Sequence, residues 1–472
     1  MTTEIERPAT LQINAWAEST ANVDTLPAAT PWAQKQKVAA GASRTLAAPR
    51  PADLRDWRHP EVGWGLVLPA QAGLSDAELS RADDAPPAIQ RLLASRPGAP
   101  VLRWLPVLQQ NFLRRYYVDA KAQDLSIAAP RTGIGKGQIP KYLLIYGSPT
   151  EIPWAVQYAL NMSTFVGRLD LTGQGLERYV DALISNWAGT ASRADSPLLW
   201  NVNHGTEDIT WLMARAIGDR LWAELQTDTD LVGRFQLKDE LATAQQLVAA
   251  LQERSPALVV TTSHGCTGPL DDPTKMQQQL GSLVDAAHGL VGAKELSAWN
   301  PAGAIWYAHA CCSAGSDQVS RYSGLLKTDT SIGKILDGVA RGAGAMVAPL
   351  PAALLGAQSP LRAFAGHVEP TFDWTLREPA GRQVLTHVLT SALYNNLYQA
   401  DRPTPIGFAL RGVYAEAGAF FGAFQDAVAG INENVANMRD WALYRQLVAS
   451  DRQTLVILGD PTVSLPSLRS SA

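Results

Sequence analysis

Cysteine is nearly absent: the 472-residue chain has three, at Cys266, Cys311 and Cys312. That excludes a disulfide framework. Cys311 and Cys312 are adjacent, and neighbours rarely bridge each other. All three are therefore read as thiols, which places the chain in a reducing, cytoplasmic compartment. Charge is also sparse, at 18% of residues, with 40 basic groups against 44 acidic ones. So even a balance excludes a strongly basic nucleic-acid binder. No long apolar run offers a membrane span, since residues 339–357 carry Arg341, Pro349 and Pro351 among Ala and Gly. The opening MTTEIERPAT has no basic-then-apolar leader, in keeping with the cytoplasmic expectation. The seven histidines and three cysteines form no H-E-x-x-H or C-x-x-C pair, so no metal site is expected. Gly133 to Gly137 lacks the spacing of a phosphate-binding loop.

What is present is a chain 46% hydrophobic, enough for a large core. Residues 1–50 are polar and rich in Ala and Thr, and read as a loosely held arm. Residues 51–135 hold prolines and short apolar runs and read as an N-terminal subdomain. The stretch from Asn111, NFLRRYYVDAKAQDL, is expected to form a helix with solvated Arg and Lys. From residue 136 onward, apolar runs of strand length alternate with helical stretches. The runs are YLLIYG, TFVGRLDL, SPLLWNVN, PALVVTTS, AIWYAHA, GAMVAPL (344–350) and TLVILG. Between them, segments such as LERYVDALISNWA and MQQQLGSLVDAAHGL show apolar residues at i, i+3 and i+4. This alternation predicts an α/β fold, a mainly parallel sheet covered by helices over 136–472 with an N-terminal appendage. Ligands of such sheets bind at the carboxyl ends of the strands.

Three predicted strand ends carry polar groups. PALVVTTS runs into His264-Gly265-Cys266, AIWYAHA into Cys311-Cys312-Ser313-Ala314-Gly315, and SPLLWNVN into His204-Gly205-Thr206-Glu207-Asp208. A thiol is a poor nucleophile until it is deprotonated, and an imidazole beside it can take that proton and pass it to a leaving amine. Glycine beside each group lets the backbone turn and lets a substrate carbonyl reach the amides of Cys312 and Gly265, an oxyanion hole. A lone His or Cys at a strand end is most often structural. The two motifs together point to a Cys-His dyad of His264 with Cys312, or with Cys311. Cys266 reads as a wall residue.

These residues, taken together, resemble the clan CD cysteine peptidases, a group with caspases, metacaspases, separase, gingipains and the CHAT domains. The strand followed by Ser263-His264-Gly265, and Ala310-Cys311-Cys312-Ser313-Ala314-Gly315 after another strand, carry the resemblance. YLLIYGSPTEIP (142–153), FVGRLDLTGQGLERYVDALISNW (165–187) and LVILGDPTVSLP (455–466) are similar in order to blocks of the gingipain family. The resemblance implies a caspase-hemoglobinase-like fold and thiol protease activity. It favours Cys312 as nucleophile, because related motifs place the cysteine directly before Ser/His-x-Gly. In gingipains an acidic residue orients the catalytic His, and an Asp shortly after it lines a pocket for a basic P1 side chain. Here His204 stands at the first place, a departure, so that His204 is the candidate orienter. Asp208, with Glu207 beside it, stands at the second as the pocket acid. Asp208 could equally serve only to start the following helix. Metacaspases have an Asp two residues before the nucleophile, where this chain has Ala310. Some relatives bind calcium, for which Asp271-Asp272 are acidic groups, but nothing here requires it and no cofactor is expected.

The expected function is an intracellular cysteine endopeptidase acting on protein or peptide substrates after Arg or Lys. By analogy it is regulated, with a protein partner, in bacterial defence or cell death. Neither nucleic acid nor membrane is an expected partner. The alternatives are an inactive scaffold that keeps the fold and, less favoured, an acyltransferase using the same thioester.

Overall fold

The computed structural model describes residues 10–17, 22–25, 52–400, 402–433 and 435–468, with side chains left aside for 22–25. The apolar runs become strands because each is short, continuous and bounded by turn residues, which suits burial on both faces of a sheet. Twelve strands of the described chain make one sheet. Its order is Phe235–Lys238, Leu198–Asn201, Leu258–Thr262, Ile305–His309, Ala363–His367, Leu455–Gly459, Phe165–Leu169, Tyr142–Tyr146, Trp64–Pro69, Val101–Trp104, Phe112–Arg115 and Gln123–Ser126. Most neighbours are parallel. The antiparallel contacts are those of Leu455–Gly459 with Ala363–His367 and of Phe112–Arg115 with both its neighbours. Helices flank the sheet, among them Gly173–Ile184, Ala244–Arg254, Ser331–Gly342 and the mutually packed Arg411–Asn432 and Met438–Thr454. No helix among the described residues is long and apolar enough to cross a membrane.

Several local expectations are corrected. Residues 51–135 are not a separate subdomain: Trp64–Pro69 pairs in parallel with Tyr142–Tyr146, with Leu66 level with Leu144, so this region extends the same sheet. The stretch from Asn111 is a hairpin of Phe112–Arg115 and Gln123–Ser126, in which Arg114 pairs across with Asp124. Its alternate residues have only to cover one face, a job the mixed aromatic and basic sequence does as well as a helix would. In 344–350 only Met346–Val347 is extended. Pro349 then opens the helix Pro349–Leu355, where its fixed φ suits the first turn. The sheet strand of this region is Ala363–His367, an Ala- and Gly-containing run that composition does not mark. It needs Gly366, because a Cβ there would come within 2.6 Å of Ser313 Oγ. MQQQLGSLVDAAHGL gives the short helix Pro273–Gln279 and then the hairpin Leu283–Val284 with Leu290–Val291.

The expected arm is also corrected where it is described. Thr10–Ile13 pairs antiparallel with Asn22–Thr25, and Ala15–Trp16 pairs in parallel with Gly265–Cys266. Leu11, Ile13, Asn14 and Ala15 are fully buried. The remainder of residues 1–50 lies outside the described residues.

Candidate functional site

Four neighbouring strands fix the site because they are parallel and therefore end at one edge. Leu198–Asn201, Leu258–Thr262, Ile305–His309 and Ala363–His367 pair in that order. Thr262 is level with His309, so the segments beyond them, His264 and Cys311-Cys312, leave the sheet side by side. Ser263 N–H donates to His309 O at 3.3 Å. Gly265 lies directly on the Cys311 backbone: a Cβ at 265 would sit 1.9 Å from Cys311 O, so only glycine permits this approach. The two motifs thus share one rim. Cys312 takes a left-handed φ of 54°, which turns the chain sharply after Cys311.

His264 is fully buried, and its Nε2–H donates to Asp208 Oδ2 at 3.0 Å. Asp208 divides its two oxygens. Oδ1 accepts from Thr210 N–H at 2.8 Å and from the Thr210 hydroxyl at 2.6 Å, capping the helix Ile209–Met213, while Oδ2 holds the imidazole. Burial alone would raise the Asp208 carboxyl. The hydrogen bond and charge of His264, with the Thr210 donors, outweigh burial and hold it well below the usual carboxylate range. With Nε2–H committed to Asp208, the neutral ring carries its lone pair on Nδ1, which is buried and has no hydrogen-bond partner.

This geometry revises two assignments. Asp208 is not an acid lining a pocket for a basic side chain, because both its oxygens are engaged by His264 and Thr210. Glu207 is exposed, and its backbone carbonyl accepts from Gln12 Nε2 at 2.9 Å. His204 does not orient His264 through a hydrogen bond. Its Nε2–H donates to Asp285 O at 2.9 Å, and its ring lies 5.6 Å from that of His264 and 4.3 Å from that of His288, nearly parallel to both. The carboxylate that orients the imidazole is Asp208. Trp16 packs against all three histidine rings, 5.5 Å from His264.

The thiols are buried. Cys311 Sγ accepts from Thr371 N–H at 3.2 Å. Burial pushes both thiols above their ordinary range, against the lowering Thr371 hydrogen bond at Cys311 and with the neighbouring Cys311 and Glu369 adding to it at Cys312. Cys312 N–H donates to Glu369 O at 3.4 Å. Gly265 N–H, the other expected oxyanion donor, is directed at Asn14 O at 3.3 Å. Cys266 is buried, with its Sγ donating to Gly268 O at 3.6 Å, which makes it part of the wall. Among the described residues, His204, Asp208 and His264 are the donor set that could hold a metal ion, with ligand atoms within 4.8 Å of one another. A metal there would have to displace the proton between His264 and Asp208.

Asn14, Trp16, Thr371 and Asp373 belong to the site and were not foreseen. Asp373 Oδ1 accepts from Gln12 N–H at 3.2 Å, and burial pushes its carboxyl up to about 7 despite backbone donors that lower it. The folded state therefore holds a proton that the unfolded chain releases near an ordinary carboxyl pKa of about 3.9. Folding loses stability as pH rises through that interval. Asp373→Asn removes the effect. Its stability relative to wild type is expected to climb between about pH 4 and pH 7 and to level off above. Urea midpoints measured at several pH values check this, and a difference independent of pH contradicts it.

No family model, curated protein or solved structure matches this chain.

Proposed function

We propose that the chain is a cysteine endopeptidase in which Cys312 is the nucleophile, His264 the general base and acid, and Asp208 the residue that positions the imidazole. The observation that carries this reading is the buried His264–Asp208 pair beside the Cys311-Cys312 turn at one sheet edge. Its support is chemical. An imidazole held at Nε2 by a carboxylate presents a basic Nδ1. In the first step Nδ1 takes the thiol proton as sulfur attacks the carbonyl carbon. The C–N bond then breaks, and the same proton passes to the departing amine. Water, deprotonated by Nδ1, attacks the thioester carbon, the C–S bond breaks to release the carboxyl product, and the proton returns to sulfur. Gly265 N–H is the donor offered to the developing oxyanion. Cys311, whose backbone lies against Gly265, is the alternative nucleophile. A caspase-hemoglobinase-like architecture, a cytoplasmic location, a peptide or protein substrate and a regulatory partner belong to the same reading. An Arg/Lys preference does not, because Asp208 faces His264.

A second reading has an observation of its own. Both thiols are fully buried in the resting chain, which suits an inert scaffold of this fold. A peptide-chloromethylketone probe with mass mapping separates the two. The proposal expects adduct on Cys312, lost in Cys312→Ala and retained in Cys311→Ala. Adduct retained in Cys312→Ala and lost in Cys311→Ala moves the nucleophile to Cys311. Absence of adduct under conditions that expose the thiols favours the scaffold.

A further inference from the structure

Residues 11–16 run through the site as an inserted strand, hydrogen-bonded on both sides. On one side Asn14 N–H donates to Thr371 O at 2.9 Å, and Ile13 forms an antiparallel bridge with Phe372. On the other side Gly265 N–H donates to Asn14 O at 3.3 Å and Thr267 N–H to Trp16 O at 3.1 Å. The side chains alternate as a strand requires. Leu11, Ile13 and Ala15 belong to the apolar cluster that contains Cys311 and Cys312, while Trp16 packs on the His264 ring. Asn14 is fully buried, and its Nδ2 donates to Ser263 O at 2.8 Å. The segment therefore lies with one face to the thiols and the other to the imidazoles. Its Asn14 carbonyl sits on the amide that an attacked carbonyl would need.

We propose that the groove between Ser263–Thr267 and Thr371–Phe372 is a peptide-binding channel, and that residues 11–16 fill it as an internal substrate mimic that keeps the resting site closed. The ligand that replaces them is an extended peptide. It adds a strand to the exposed edges, places apolar side chains at alternate positions, and sets a small amide-bearing residue where Asn14 lies. The fate of that peptide rests on the peptidase reading above, but its binding does not.

The test uses the full chain carrying Ile13→Asp and Trp16→Ala, with iodoacetamide as thiol probe and a synthetic TLQINAWA peptide added in trans. The double variant is expected to raise the alkylation rate of Cys311 or Cys312 by about tenfold or more, as a locally opened segment exposes what it covered. Excess peptide is expected to restore protection, and a peptide with Lys in place of Asn is not. A folded variant that alkylates at the wild-type rate, or a peptide that protects nothing, overturns the proposal. If the variant does not fold, hydrogen exchange of the wild-type chain decides. Amides of residues 12–16 that exchange well before those of Leu258–Thr262 support a removable segment. Exchange only together with that strand makes the segment an integral part of the fold and sinks the idea. Opening and peptide rescue without hydrolysis of any peptide leave the channel standing and remove the peptidase reading. Hydrolysis that is indifferent to the variant does the reverse.

Discussion

His264→Ala is expected to lower peptide hydrolysis by about 10²- to 10⁴-fold, the range for losing a positioned general acid–base. His264 Nε2 is committed to Asp208 at 3.0 Å, and the unpartnered Nδ1 is the ring's remaining proton acceptor. Asp208→Asn keeps the Thr210 cap partner in shape but removes the charge that stabilises the imidazolium. It is expected to reduce kcat with little change in KM. An Asp208→Asn enzyme with unchanged kcat, or a His264→Ala enzyme with wild-type turnover, contradicts the assignment of roles.

Asp460→Ala is expected to destabilise the fold by about 3–5 kcal/mol, the cost of breaking a buried charge pair by removing one partner. Asp460 is fully buried. Its Oδ2 accepts from Trp64 Nε1–H at 2.9 Å and faces Arg96 at 3.5 Å, while its amide donates to the Tyr179 hydroxyl at 2.7 Å. Removing the carboxylate strands the indole N–H and leaves Arg96 with the Thr462 hydroxyl and the faces of Trp57 and Trp64. This one side chain ties the end of Leu455–Gly459 to Trp64–Pro69, with two strands of the sheet between them. Urea denaturation checks the prediction. The midpoint should fall with the slope unchanged if only native stability is lost. An unchanged midpoint means that the pair contributes nothing.

Most of the central sheet was legible because buried parallel strands are continuous apolar runs, and YLLIYG, PALVVTTS and AIWYAHA are such runs. Ala363–His367 was not, since Ala and Gly have little strand preference. It is extended because its neighbours leave a slot in which the Ser313 hydroxyl excludes any Cβ at Gly366. The hairpin at Phe112–Arg115 escaped notice for the related reason that mixed polar and aromatic sequence suits an edge strand or a helix face alike.

The candidate site divides in the same way. Strand-end motifs marked His264, Cys311, Cys312 and Asp208, because the carboxyl edge of a parallel sheet is where polar residues converge. Which acid meets the imidazole was a matter of direction rather than order. His204 lies as near in sequence, yet its ring nitrogen turns to Asp285 O, and Asp208 takes the imidazole from the head of a helix.

Composition and periodicity alone determined an α/β chain with a parallel sheet, free thiols and a polar rim, since local patterns of burial follow directly from residue type. The tertiary structure decided the partner of His264, the joining of residues 51–135 to the same sheet, and the pairing of residues 15–16 with Gly265–Cys266 at the rim. These depend on contacts between segments up to hundreds of residues apart. No local pattern encodes them, because pairing energy resides in the meeting of two surfaces rather than in either one.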